Sequence, residues 1–297
     1  SGLVGSEMCI RDRVVSDRLG APTNPYFRVE RLTKNDKGEE KVSMVKEVTE
    51  SPVNIGGAFF NTKSVDPTFR FSVPEDGTYR LLTYDIYNQG AANSLYRLSI
   101  RKEAPGFRLV AMVEGPPAMP NKALPIPTVF LRRGQVVPIK VMAFKRDGFN
   151  EPIEINLAGL PDQISASKAT IYSGQNSALV LLVAKDDSAA WSGTITVSGK
   201  AMVNNKTITH QARTAEVTTV SYDTQSKKSK IRARLTGGMV ITVTDREKAP
   251  LIIKAKEEKI WEHSVFGNIK IPISIAFDPG FKSVAVSYTH LTLPTKA

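Results

Sequence analysis

The densest grouping of chemically active side chains is Lys227-Lys228-Ser229-Lys230-Ile231-Arg232-Ala233-Arg234. In an extended chain, successive side chains alternate between faces. Lys228, Lys230, Arg232 and Arg234 then share one face, with Ile231 and Ala233 on the other. A row of cations suits attachment to an acidic polysaccharide, envelope phosphate or nucleic acid. A solvated linker strand, kept from edge pairing by its own charge, calls for the same residues. Sequence leaves both readings open. Nucleic acid is disfavoured, because aromatic residues do not interleave with the cations as a stacking platform requires.

Other constellations are sparser. Asp66, Asp76 and Asp85 fall near expected turns. Calcium needs several oxygens converging on one point, and no ligand spacing connects these three. Asp76, directly before Gly77, is explained as a turn former. His210, His263 and His290 are too few and too scattered for a metal cluster or a proton relay. There is no Gly-x-Ser-x-Gly elbow, phosphate-binding glycine loop or His-Glu-x-x-His pattern. No residue is therefore expected to act in catalysis, to hold a cofactor or to ligate a metal, and no enzyme activity is expected from this segment. Trp191 and Trp261, with Tyr84 and Tyr87, offer rings for stacking on sugars. Aromatics of β-sandwiches more often serve the core or its rim.

The elements that would position these residues are strands. Val137-Pro138-Ile139-Lys140-Val141-Met142-Ala143-Phe144, followed by Gly148-Phe149, is echoed by Ile271-Pro272-Ile273-Ser274-Ile275-Ala276-Phe277 and Gly280-Phe281. Upstream, Arg101-Lys102-Glu103-Ala104-Pro105 is answered by Arg246-Glu247-Lys248-Ala249-Pro250. Two landmarks in the same order indicate tandem modules. Alternation predicts strands at 69–73, 79–84, 95–100, 136–144, 153–157, 178–184, 194–203 and 207–220. Turn chemistry recurs at Asn35-Asp36-Lys37-Gly38, Asp76-Gly77, Asp147-Gly148, Ser173-Gly174 and Asn204-Asn205. Pro116-Pro117, Pro120 and Pro125-Ile126-Pro127 predict an extended, poorly paired lead-in to the second module. Residues 229–243 are expected to bridge to a third.

Both termini resemble translated sequencing adapter. Glu7-Met8-Cys9-Ile10-Arg11-Asp12 reads as a transposase mosaic end, and Val286-Ser287-Tyr288-Thr289-His290 reads as the same element on the opposite strand. Residues 1–13 and 286–297 are therefore set aside from fold reasoning. The one cysteine, Cys9, goes with them, so the remainder has no thiol for a disulfide or a metal. The chain carries +11 at neutral pH over 297 residues, which favours acidic surfaces without naming one. No stretch has the apolar length of a membrane helix. A hydrophobic share of 41% is enough for packed cores.

Arg18-Leu19-Gly20-Ala21-Pro22-Thr23-Asn24-Pro25, Asp66-Pro67-Thr68-Phe69-Arg70-Phe71, Pro74-Glu75-Asp76-Gly77-Thr78-Tyr79 and Tyr96-Arg97-Leu98 together resemble the bacterial pre-peptidase C-terminal domain family. That resemblance implies a jelly-roll-like β-sandwich accessory module over 14–103, lacking its first strands. Asn24 stands where the family often has aspartate. Gly159-Leu160-Pro161, Ala169-Thr170-Ile171 and Ser173-Gly174-Gln175-Asn176-Ser177-Ala178 resemble bacterial immunoglobulin-like repeats. This implies an immunoglobulin-like sandwich with a linker strand over 104–248, and the start of another repeat over 249–285. The expected fold class is all-β, as tandem β-sandwiches. The resemblance, which extends to secreted proteins of planctomycete-type bacteria, implies an extracellular, periplasmic or envelope location. It also implies a spacer or presentation scaffold, with other domains of the parent chain as partners. Two alternatives remain: an adhesin or carbohydrate-binding module, and the accessory region of a secreted peptidase.

Overall fold

The computed structural model describes residues 9–21, 23–51, 53–57, 59–88, 90–115, 129–223, 228–257, 259 and 270–281. The proline-rich stretch 116–127, Trp261, His263 and His290 lie outside them. The chain is nearly all β, and the described helical content is one 3-10 turn at Asp17–Leu19.

The first module has β1 (Cys9–Val15), β2 (Pro25–Lys34), β3 (Glu40–Val48), β4 (Thr68–Ser72), β5 (Thr78–Asp85) and β6 (Arg97–Lys102). They form two three-stranded sheets, ordered β4-β1-β6 and β3-β2-β5. Alternate residues of each sheet turn inward, and Val14, Phe27, Val29, Phe69, Phe71 and Tyr79 meet as the core. Phe27 and Phe69 join the sheets with ring centroids 4.8 Å apart. β1 begins inside the stretch set aside on sequence, and Cys9–Arg13 pair with Thr68–Ser72 in an antiparallel ladder. Such a ladder is made by backbone groups, which every non-proline residue carries.

The second module has β7 (Gly106–Val113), β8 (Phe130–Arg133), β9 (Val136–Arg146), β10 (Ile153–Ala158), β11 (Ile164–Ala166) and β12 (Ala169–Ile171). It continues with β13 (Ser177–Ala184), β14 (Trp191–Val203), β15 (Lys206–Gln211), β16 (Arg213–Asp223), β17 (Lys228–Thr236) and β18 (Met239–Lys248). One sheet runs β12-β10-β14-β18-β8, with β15 also on β14; the other runs β11-β13-β9-β7-β16-β17. Between them lies the largest core, with Phe107, Leu131, Ile139, Ile153, Ile171, Leu182 and Ile241 fully enclosed. At Gly199 on β14 a Cβ would stand 2.5 Å from Leu109 of the facing sheet and 2.8 Å from Ile153 of the neighbouring strand. Asn204 and Asn205, at φ 48° and 61°, make the β14–β15 hairpin, which needs two left-handed residues.

Two sequence expectations change here. The single strand expected over 207–220 is two, divided at Ala212, whose N–H bonds Val197 O at 2.8 Å. There the chain leaves one sheet and joins the other, so alternation continues while the partners change. Residues 229–243 do not run free as a bridge. Their strands pair inside the second sandwich, β17 along β16 and β18 between β14 and β8. Charge made this stretch look like a linker, whereas Met239, Ile241 and Val243 are core residues.

β19 (Leu251–Ala255) and β20 (Ile273–Phe277) follow as an antiparallel pair. Ile273 and Ile275 hold the sequence places that Ile139 and Val141 hold in the second module. The earlier pair is 0% exposed under its second sheet, whereas the later pair is 43% and 44% exposed.

Candidate functional site

Lys228, Lys230, Arg232 and Arg234 occupy alternate places on β17, the outermost strand of its sheet. Charge on an edge strand blocks a second chain from adding to the ladder. The register sets Asp223 opposite Lys228 and Glu216 opposite Arg234, while Lys230 and Arg232 face Ser221 and Thr218. An irregularity between Thr219 and Ser221 separates the two halves. Two acids therefore stand across from two of the four cations. Arg234 and Glu216 are both exposed.

The three carboxylates weighed for calcium do separate work. Asp66 is buried and accepts the N–H groups of Ser16 at 2.8 Å and Arg18 at 3.1 Å, which ties the turn after β1 to the loop before β4. Asp85 accepts from Asn24 N at 2.7 Å and Tyr87 N at 2.9 Å. Asp76 is exposed in its turn. Among the described residues, no three His, Cys, Asp or Glu side chains come together as a metal site would require. His210 is exposed on β15 and meets Phe107 edge-on at 5.1 Å. Trp191 packs against the second core, away from Tyr84 and Tyr87 in the first module, so these rings do not form one platform.

The arrangement that sequence did not disclose is the junction between the first two modules. β6 ends at Lys102 and β7 starts at Gly106, so three residues connect the sandwiches. Arg101 at the end of β6 grips Asp147 in the β9–β10 turn with both terminal nitrogens, Nη2 to Oδ1 at 3.0 Å. The Ala104 N–H adds a third bond at 2.9 Å. The Asp147 side chain is 0% exposed. The carboxylate bonds raise the Arg101 pKa further above its already high ordinary value. Asp147 and Gly148 both have positive φ, 54° and 78°, which turns the carboxylate back toward β6.

An apolar contact widens the junction. Val110, Met112, Met142, Ala215 and Val217 form a buried patch on the outer face of the β9-β7-β16 sheet. Outer faces of sandwich sheets are ordinarily polar. Ile55, Phe59 and Phe60, from the loop between β3 and β4, cover it. Phe60 meets Phe144 edge-on at 6.3 Å. The next junction is also short: Ala249 N bonds Arg133 O at 2.8 Å, and Arg132 pairs with Glu247.

No family model matches the chain, and no curated protein is similar to it. Among the described residues no helix is long and apolar enough to cross a membrane.

Proposed function

We propose that this segment is a non-catalytic spacer, a run of β-sandwiches that fixes the distance and direction between other parts of a larger protein. The observation that carries the reading is the Arg101–Asp147–Ala104 clamp beside the Phe60 contact. A flexible tether has no use for a buried ion pair and a covered apolar face. A three-residue connection leaves little slack, and the clamp removes rotation about it. The resemblance to pre-peptidase C-terminal and immunoglobulin-like modules supports a secreted or envelope-bound parent, with the segment presenting a domain encoded elsewhere.

Residual dipolar couplings test the rigidity. One alignment tensor is expected to fit amides of both modules, and two tensors are expected in a double variant, Arg101→Met with Phe60→Ser. Separate tensors in the unmodified chain would remove the spacer reading. A long read across the parent locus tests the setting. A signal peptide with a peptidase upstream favours the accessory role, and further sandwiches ending in an anchor favour an adhesive one.

A second reading rests on β17. An edge strand with cations at four alternate places offers an anionic envelope surface a line of contacts. Retention on acidic polysaccharide that survives charge reversal at Lys228 and Arg232 would eliminate it.

A further inference from the structure

β19 and β20 repeat the β7–β9 pair of the second module. There Ala111 and Val113 lie opposite Val141 and Ile139; here Ile253 and Ala255 lie opposite Ile275 and Ile273. Side chains directly opposite in an antiparallel pair share a face. On β7 and β9 the facing sheet covers that side, and Ala111, Ile139 and Val141 are buried. On β19 and β20 the same side is open, and Phe277 at its end is 54% exposed. The reverse side is turned to the second module, since a Cβ on Gly134 would stand 2.9 Å from Ile252 Cδ1. The open face carries apolar side chains alone, from Leu251, Ile253, Ala255, Ile273, Ile275 and Phe277. Its two ends differ in bulk. Leu251 and Phe277 make a large end, where Phe281 stacks on Phe277 with ring centroids 6.1 Å apart. Ala255 and Ile273 make a smaller one.

We propose that this face binds a second copy of itself, two β19–β20 pairs packing face to face. The two-fold axis lies in the contact plane and crosses the strands at Ile253 and Ile275. An axis in that direction lays the large end of one copy over the small end of the other, so that Leu251 and Phe277 fill the space above Ala255 and Ile273. An axis along the strands would set large on large and small on small. Self-contact buries no charge, whereas a partner with a charged face would leave that charge unpaired here. Two five-residue strands make a patch of about 17 by 10 Å. That is small against the roughly 800 Å2 per partner of a stable interface. The dimer is therefore weak, with a Kd on the order of 100 µM. Each chain carries +11, so like charge opposes encounter and screening by salt strengthens the contact. The inference does not depend on the spacer reading.

Sedimentation velocity on the full chain tests the contact at about 10 µM and about 500 µM, in about 0.15 M and about 1 M sodium chloride. The unmodified chain is expected to pass from monomer toward dimer as concentration rises, and further at the higher salt. Ile275→Lys is expected to stay monomeric throughout. Ile275 is 44% exposed in the single chain, so the monomer has room for that change. Ser274→Lys adds the same charge to the reverse side of the same strand and is expected to associate as the unmodified chain does. Ala255→Phe makes both ends large and is expected to weaken association about tenfold. In an amide NMR dilution series, the shifts that move are expected at 251–255 and 273–277. A chain that stays monomeric at the upper concentration in both salts would overturn the proposal. So would association that survives Ile275→Lys, is lost equally in Ser274→Lys, is untouched by Ala255→Phe, or leaves the amides of both strands unmoved.

Discussion

Replacing Arg101 by methionine keeps an unbranched side chain and deletes both donors to Asp147. The carboxylate retains only the Ala104 N–H of the three bonds described. A hydrogen bond to a charged group contributes about 1.5–3 kcal/mol, and removing the partner of a wholly buried ion pair costs about 3–5 kcal/mol. The Arg101 side chain is 39% exposed, so solvent already weakens the pair and the lower range applies. The expected loss is therefore about 2–3 kcal/mol. It need not be borne as a buried charge. Undocking lets water reach Asp147 in its turn, so the loss is taken from docking and falls on the first module. That module has six buried apolar residues in its described core cluster, against 23 in the second, and has the least to spare. With about 4–8 °C per kcal/mol for a domain of this size, its transition should drop by about 10–20 °C. Differential scanning calorimetry should show that drop while the second transition stays in place. A fall confined to the second transition, or no movement of either, would refute the docking argument.

Gly199→Ala places a methyl against Leu109 and Ile153, at 2.5 and 2.8 Å before relaxation, and should lower the second transition alone by about 1–3 kcal/mol. This also identifies the calorimetric peaks, and an unshifted second peak would show that the sheets yield at that point. Burial holds the Lys145 pKa below its usual 10.5. Between the lowered folded value and 10.5, the unfolded chain keeps a proton that the folded chain has lost, so stability rises with pH through that window. Urea titrations at about pH 8 and pH 10 should show this rise and its loss in Lys145→Met; equal rises in both proteins would exclude Lys145 as the source. Limited proteolysis should cut the β19–β20 pair well before the second module, because Ile253, Ile273, Ile275 and Phe277 are exposed. Equal resistance of both would mean that this pair is better packed than its exposure indicates.

Strands were legible in the sequence where burial alternated, as in 136–144 and 178–184, and turns where their conformation needs particular residues, as at Asn204-Asn205. Pairing was less legible. Ala212 marks a change of sheet without glycine or proline, so local pattern gave no break in 207–220. The charges of β17 hid a paired strand, because cations at alternate places read the same whether the backbone between them is paired or free. The junction was not legible at all. Arg101 and Asp147 are 46 residues apart, and each has a sufficient local explanation, a strand end and a turn. The apolar patch under Phe60 was hidden likewise, since Val110, Met112 and Met142 make their strands read as doubly buried without saying what covers the second face.

β1 has a consequence for engineering. It sits between β4 and β6 and is held to both by antiparallel ladders, while Val14 is its one residue in the described core cluster. A slot of that kind selects for length and extended shape more than for identity. The first module is therefore suited to being split in the loop between β1 and β2, with the first strand returned as a separate peptide. Assembly of the two pieces would then report on whatever brings them together.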